Sequence, residues 1–417
     1  MELITFLEDA PYPATTFVWQ NRRWQGHFAP AASARFWKPD RLLVFLTQQA
    51  QAKVWGAFQS ELPDGLETRQ VLIPPGATQM ELWLIARTVA SEVSGSEDLV
   101  FDLSHGPLCF PLVGLMTAIY LRVARHAELR AVLYASYGLD VDADGPVKPG
   151  ETPIHDLSVM LMWLNWYAAI DRLERTGDAS DLAALVQAER KRLARQAQGN
   201  PDVMAQLGGL GKLSGVLNSI SSSLLLIRPR QAMQHISDLP ERVQAAEPLF
   251  QDRPAALAFA LLNRAVDNLS PLALANPDAP QNARSVLDVE RRMILWYAER
   301  GLWVQVATLA REWVISWTMF QFGLEKFTHY QSRQRFEHVL GAEARDYQEA
   351  QQKHQPYKPL FLADLPAAEG VLGLWNALTD ARNDINHAGM RDRPGRPEDL
   401  AARIQTCIQT LSALPLA

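Results

Sequence analysis

Residues 98–107 have the sequence DLVFDLSHGP, in which a short apolar run ends at a small polar residue, a histidine and a glycine. A run of this length and composition predicts a buried strand. Ser-His-Gly then predicts a tight turn, and Pro107 suits the first turn of a following helix. We therefore expect a strand, a turn and a helix, with the turn at the carboxyl end of the strand.

Further short apolar runs in the first 140 residues are Glu2–Leu7, Arg41–Leu46, Gln70–Ile73 and Ala131–Tyr134. Helical patterns at Thr78–Val93 and Pro111–Ala127 lie between them. Strands that alternate with helices predict a parallel, doubly wound α/β sheet. Because ligands of such sheets bind beyond the carboxyl ends of the strands, the residues after each run are candidate binding residues.

The polar, Gly/Pro-rich stretch Asp140–Pro153 predicts a domain boundary. Beyond it the strand signal disappears, and helical spacing continues through segments such as Val286–Phe322 and Pro366–Asn386. We expect an α/β domain at 1–150, a helical connecting region at 151–285 and an all-α domain at 286–417.

Composition limits the function classes. The formal charge of −6 disfavours a purely electrostatic nucleic-acid coat protein, so any RNA contact must use a local basic patch, for which Arg382, Arg391, Arg393 and Arg396 are candidates. The two cysteines form no disulfide framework or metal pair. With neither a signal peptide nor a long apolar segment, a cytoplasmic protein without membrane contact is expected.

The turn after the 98–103 run is the first candidate site. Free backbone N–H groups at the start of the following helix can bind an anion. The alternative is structural, with Ser104 capping the helix and His105 packed in the turn. Neither GxGxxG nor a Walker A motif occurs, which disfavours a dinucleotide cofactor or a P-loop nucleotidase.

The second candidate is the segment 382–389, RNDINHAG, at the end of an amphipathic helical pattern, with Gly389 placed to end the helix. Asn383 and His387 share a helix face, whereas Arg382 lies about 140° around the helix from His387. One chain therefore supplies half a site, and two copies are needed to surround one phosphate.

These residue types suit RNA cleavage without a metal. His387 can transfer protons near neutral pH, Arg382 presents a planar fork to phosphate oxygens, and Asn383 can orient the phosphate or the imidazole. Attack by the ribose 2′-OH gives a 2′,3′-cyclic phosphate and a 5′-OH. The alternative is a solvated helix end whose histidine is favourable to the helix dipole.

The DLSHG run resembles the Asp-x-Thr-His-Gly signature of CARF domains, and RNxxNHAG resembles the HEPN ribonuclease motif. Together, in this order, they resemble the CARF–HEPN ribonucleases of type III CRISPR systems. The resemblance implies a Rossmann-like CARF domain followed by an all-α HEPN domain, in a homodimer that cuts single-stranded RNA when a cyclic oligoadenylate is bound as allosteric activator. It implies a nucleotide groove lined by Glu8, Asp9, Tyr12, Thr47, Ser104, His105, Gly106, Pro107 and Leu108.

Two departures from that family occur in the groove. Glu8-Asp9 replaces a glycine, and Pro107-Leu108-Cys109 replaces Phe-Arg-Ser. Two other functions therefore stay open: a non-catalytic sensor or regulator, and a sensor that degrades its own cyclic oligoadenylate through Ser104 and its neighbours.

Overall fold

The structure, a computed structural model, describes residues 1–93, 98–137, 150–196, 201–250, 256–390 and 392–416. The chain divides into two compact units, Met1–Met162 and Trp163–Ala417. Residues 140–149 of the predicted boundary segment and Arg391 lie outside the described residues. The predicted divisions at residues 150 and 285 stay predictions.

The first unit contains one mixed sheet, which has eight strands among the described residues, in the order β3-β2-β8-β7-β6-β1-β4-β5. The strands are β1 (Glu2–Leu7), β2 (Thr15–Trp19), β3 (Arg22–Gly26), β4 (Arg41–Leu46), β5 (Glu67–Leu72), β6 (Asp98–Asp102), β7 (Glu128–Ala135) and β8 (Glu151–Asp156). From β7 to β5 every neighbouring pair is parallel, as the alternation of strands and helices predicts.

Helices cover both faces of this sheet. They are α1 (Ala29–Trp37), α2 (Gln48–Lys53), α3 (Trp55–Ser60), α4 (Gln79–Glu92) and α5 (Cys109–Arg125). Because successive strand residues point to opposite faces, Leu3 packs with α1, α2 and α3, whereas Ile4 and Phe6 pack with α4 and α5. The α/β fold class and the doubly wound arrangement are confirmed.

Strands β2, β3 and β8 were not predicted, and the expectation that strands end before Pro153 is wrong. Strand β8 contains Pro153 and His155, and it pairs parallel with β2 and antiparallel with β7. Strand β3 begins with two exposed arginines. A strand prediction depends on an alternating apolar pattern, and the proline of β8 and the exposed charged residues of β3 interrupt that pattern.

The second unit is helical. Helix α6 (Ser158–Thr176) contains the division between the units, and the helices that follow are α7 (Ser180–Gln196), α8 (Pro201–Leu225), α9 (Pro229–Ala246), α10 (Ala256–Leu269), α11 (Ala283–Glu299), α12 (Trp303–Gln321), α13 (Tyr330–Gln352), α14 (Ala368–Asn386) and α15 (Pro397–Ala413). The predicted single helix Val286–Phe322 is two helices, because Gly301 takes a positive φ of 67° between them. Across the described residues, no helix is both long and apolar enough to span a bilayer.

Helix α14 carries the second candidate site, and one of its faces is buried. Val371, Trp375 and Leu378 lie on that face at helical spacing. Trp375 lies 4.5 Å from the guanidinium carbon of Arg311 on α12, and Asn376 donates to the Ala344 carbonyl of α13 at 2.7 Å. These contacts fix α14 against α12 and α13.

Candidate functional site

The turn after β6 is held by buried hydrogen bonds. The Asp102 carboxylate, which is fully buried, accepts a hydrogen bond from the Ser33 hydroxyl of α1 and another from the Ser104 N–H at 3.0 Å. Burial raises the pKa of Asp102. The Ser104 hydroxyl oxygen accepts the Ala135 N–H of β7 at 2.9 Å. Asp102 and Ser104 therefore tie the turn to α1 and to the neighbouring strand.

His105 lies beneath the turn and is 2% exposed. Its Nε2 accepts the N–H of Ala29, the first residue of α1, at 3.1 Å, and lies 3.4 Å from the Tyr137 hydroxyl oxygen. The Tyr12 ring meets the imidazole edge-on at a centroid distance of 4.1 Å. Because burial lowers the pKa of His105 to about 3, the imidazole is neutral and acts as an acceptor.

Gly106 is required at its position. Its φ is +109°, and a Cβ there would lie 2.9 Å from the Phe110 side chain. Burial raises the pKa of Glu8, and the nearby Gly106 N–H opposes the increase. A carboxylate thus lies beside the backbone donor of the turn.

The other predicted groove residues lie at the same edge of the sheet. Leu7 of β1 pairs with Leu46 of β4, so Glu8 and Thr47 follow side by side. The Thr47 hydroxyl caps α2 by accepting the Ala50 N–H at 3.2 Å.

Asp9 is held by an ion pair with Lys53 of α2 at 2.6 Å. The Tyr12 hydroxyl lies 3.4 Å from the backbone of Glu8. Pro107 and Leu108 lead into α5, and the Leu108 side chain is 78% exposed.

Sequence reasoning missed three residues that contact this edge of the sheet, Ser33, Lys53 and Tyr137. Ser33 belongs to α1, Lys53 to α2, and Tyr137 follows β7; none has a motif of its own. Their positions beyond or between the strands were the only available signal.

An exposed apolar surface covers parts of α4 and α5, and we refer to it as the α4–α5 surface. Its members are large apolar side chains that face solvent: Met80, Trp83, Leu108, Leu112, Met116, Tyr120 and Val123. On α5 they recur about every four residues, so they form one stripe along the helix.

The end of α14 differs from the turn in how its three predicted site residues are bonded. Arg382 is half-buried, Asn383 and His387 are exposed, and none of the three side chains makes a hydrogen bond or ion pair with a described residue. Nearby Arg396 is paired with Asp399 at 2.8 Å. The described residues hold no cluster of three or more potential metal-binding side chains.

His387 is the C-cap residue that follows α14, and two backbone hydrogen bonds fix the chain after it. The Gly389 N–H donates to the Asp384 carbonyl at 3.0 Å, and the Ala388 N–H to the Ile385 carbonyl at 2.9 Å. This is a Schellman motif, in which Ala388, with a φ of +53°, takes the left-handed position. The Asp384 carboxylate also accepts the Gly395 N–H at 2.8 Å.

No protein-family model matches this chain, and no curated protein sequence matches it. Among solved structures, the chain is similar to Csm6 of Enterococcus italicus bound to cyclic hexa-2′-fluoro-hexa-dAMP. The two share 12% identity and a TM-score of 0.38, over 99% of this chain and 92% of that one. The ligand is a property of that structure, and a similarity at this level assigns no activity to this chain.

Proposed function

We propose that the protein is a homodimeric endoribonuclease that cuts single-stranded RNA in the cytoplasm, in type III CRISPR antiviral defence. In this proposal, Arg382 and His387 from two copies form the cutting site, and a cyclic oligoadenylate at the turn after β6 activates it. The observation that carries the proposal is that Arg382, Asn383 and His387, in a sequence similar to the HEPN motif, end a fixed helix with free side chains.

The proposed reaction uses only groups of the chain and the RNA. The ribose 2′-oxygen attacks the adjacent phosphorus while its proton passes to a base, and the bond from phosphorus to the 5′-oxygen breaks as that oxygen gains a proton. His387 imidazoles are suited to both transfers. Arg382 stabilises the negative charge that develops on the phosphate, and Asn383 orients it.

Two observations support a dimer. Arg382 and His387 project about 140° apart on their helix, so one copy does not bring both to one phosphate. The α4–α5 surface is an apolar stripe of the kind that marks protein interfaces, and a two-fold axis would cover it on both copies at once. We propose a second copy of the chain as its partner.

The turn after β6 is proposed as a binding site rather than a cleaving one. His105 is buried and its Nε2 accepts the Ala29 N–H, so it is not available to take a proton from a ligand, and the Ser104 oxygen is held by the Ala135 N–H. The ligand is instead proposed to contact Glu8 and the exposed parts of Asp9, Tyr12, Pro107 and Leu108. Glu8 favours a hydroxyl or amino group of the ligand at Gly106, because a phosphate would meet the carboxylate.

The decisive experiment measures RNA cleavage by the His387→Ala variant with and without cyclic oligoadenylate. Loss of a general acid–base group is expected to lower the rate by about 10²–10⁴-fold, with ligand binding by calorimetry unchanged. His338→Ala, which removes an exposed histidine from α13, is the control and should cut normally. Ligand-stimulated cleavage at the normal rate in the His387→Ala variant would overturn the proposal.

A further inference from the structure

A buried carboxyl in the helical unit faces a cavity and has no partner. Glu290 of α11 is 6% exposed, yet it makes no hydrogen bond or ion pair with a described residue. It lines a cavity of about 390 Å³ between α11, α12 and the starts of α9 and α13. Burying an unpartnered carboxyl is unfavourable, so its retention beside a cavity indicates a ligand.

Most of the other polar groups around this cavity are already fixed. Arg333 donates to the Ser316 hydroxyl at 2.8 Å and to the Glu312 carboxylate at 2.7 Å. Arg230 uses Nη1 alone, bonded to the Pro277 carbonyl at 3.0 Å and to the Asp278 carboxylate at 2.7 Å. Its remaining nitrogens donate to no described residue, so Arg230, like Glu290, has atoms available to a ligand.

The amino-terminal end of α9 also opens on the cavity. Arg228 precedes the helix without capping it by its side chain, and Pro229 occupies the first position. The first-turn N–H groups of Arg230 and Gln231 have no acceptor among the described residues. A helix start flanked by two arginines favours a phosphate.

Glu290 itself suits the edge of a planar base. Phe327 also lines the cavity, but its ring is 2% exposed and lies beside Arg230, 5.9 Å from the ring centroid, so it is not open to a ligand. Burial raises the pKa of Glu290 to about 7, an increase that Arg230 and Arg333 oppose. Near neutral pH both forms of the carboxyl are therefore present. The ionised form pairs with the adjacent donors of guanine, and the protonated form pairs with a donor and acceptor of adenine.

We propose that this cavity binds a purine nucleotide, with the base edge on Glu290 and the phosphate at the start of α9. Its volume lies within the range of small-molecule sites, which is about 300–1,000 Å³. The site belongs wholly to the second unit and is independent of the nuclease proposal.

Calorimetric titration of the full-length protein with AMP, GMP and UMP tests the proposal. Both purine nucleotides should bind at least about tenfold more tightly than UMP. A pyrimidine is one ring shorter, so its edge should not reach Glu290 when its phosphate lies at the start of α9, and the buried hydrogen bond is lost. Glu290→Leu should weaken both purine nucleotides at least about tenfold. Glu299→Leu, at the exposed end of the same helix, should change neither.

Two further variants separate the parts of the site. Glu290→Gln keeps one donor and one acceptor, so it should weaken GMP by about tenfold and AMP by less than about threefold. Arg228→Gln should weaken AMP but not adenosine. Circular dichroism confirms that each variant is folded.

Competition of AMP by a short RNA with an unpaired 3′ purine would support the site as an RNA contact, and absence of competition would support it as a site for free nucleotide. No saturable binding of AMP or GMP up to millimolar concentration would overturn the proposal. Purine binding that is unchanged in Glu290→Leu would overturn it as well.

Discussion

The turn after β6 and the end of α14 differ in whether their polar side chains are hydrogen-bonded within the chain. At the turn, Asp102, Ser104 and His105 are each bonded to another element of the first unit. At the end of α14, the side chains of Arg382 and His387 make no such bond to a described residue, although the backbone around them is fixed. Buried polar groups must be paired for the fold to be stable, whereas exposed ones cost little when left free.

Because of this difference, we expect substitutions in the two regions to affect different properties of the protein. Changes at the turn are expected to alter folding and ligand binding together, because every polar group there is also a structural contact. Changes at the end of α14 are expected to alter RNA cleavage alone. The following predictions test whether that separation holds.

Arg382→Ala has the largest expected effect. Removal of a donor that stabilises the developing phosphate charge should lower RNA cleavage by about 10²–10³-fold. The free energy of unfolding should change by less than about 0.5 kcal/mol, as at other surface positions. Arg382→Lys should restore little activity, because an ammonium lacks the planar fork.

Cleavage assays and denaturant unfolding measure the cleavage rate and the free energy of unfolding on one sample. Arg335→Ala is the control, since it removes an exposed arginine from α13. A large loss of stability in Arg382→Ala would remove the contrast between the two regions.

Met116→Glu tests the α4–α5 surface. Met116 is 64% exposed in one copy, so a charge there should leave the folded chain intact. At a two-fold interface the apolar contact of Met116 is lost from both copies. A loss of about 1.5 kcal/mol in each copy raises the dissociation constant of the dimer by about 10²-fold.

Analytical ultracentrifugation should show monomers at concentrations where the unaltered chain is dimeric, and RNA cleavage should fall with the dimer. Leu360→Glu is the control, because Leu360 is also exposed but lies in the other unit. A dimer of normal affinity in Met116→Glu would place the interface elsewhere.

His105 should make the first unit sensitive to acid. Its pKa is lowered from 6.5 to about 3 in the folded state, so the unfolded state binds a proton first as the pH falls. The stabilisation is complete above pH 6.5 and is lost progressively toward pH 3. Between pH 6.5 and 5 the loss is about 2 kcal/mol.

His105→Gln keeps an acceptor for the Ala29 N–H without a titrating group, so its unfolding free energy should fall less over this range. His155→Gln, which changes an exposed histidine of β8, should follow the unaltered chain. Identical pH profiles for all three proteins would show that His105 is not buried as a neutral acceptor.

Much of the first unit could be predicted because its inner strands carry uniform apolar runs. Strands β1 and β4 were predicted with their observed bounds, since both are buried on two faces and end at polar residues. Strand β8 could not be predicted, because its pairing with β2 and β7 is a tertiary contact that overrides Pro153. Helices α8, α9, α13 and α15 were not predicted individually, although α9 carries buried apolar residues at helical spacing.

The locations of the candidate sites could be predicted from the sequence, but the contacts of their side chains could not. The rule that ligands bind beyond strand ends correctly grouped Glu8, Thr47 and Gly106 at one edge. That His105 accepts the Ala29 N–H, and that Glu8 lies beside the Gly106 N–H, depends on residues distant in sequence. Which side chains contact a ligand or RNA stays a prediction.

Ala388→Gly has the smallest expected effect and tests the backbone beneath His387. Ala388 holds a left-handed conformation that glycine adopts without strain, so the substitution should raise the free energy of unfolding by about 0.5–1 kcal/mol. Ala402→Gly, on the exposed face of α15, should lower it by a similar amount. Because the Schellman hydrogen bonds are backbone contacts, RNA cleavage should be unchanged in both variants. A change in cleavage with Ala388→Gly would mean that the strained turn itself positions His387, and that stability and chemistry are not separate at the end of α14.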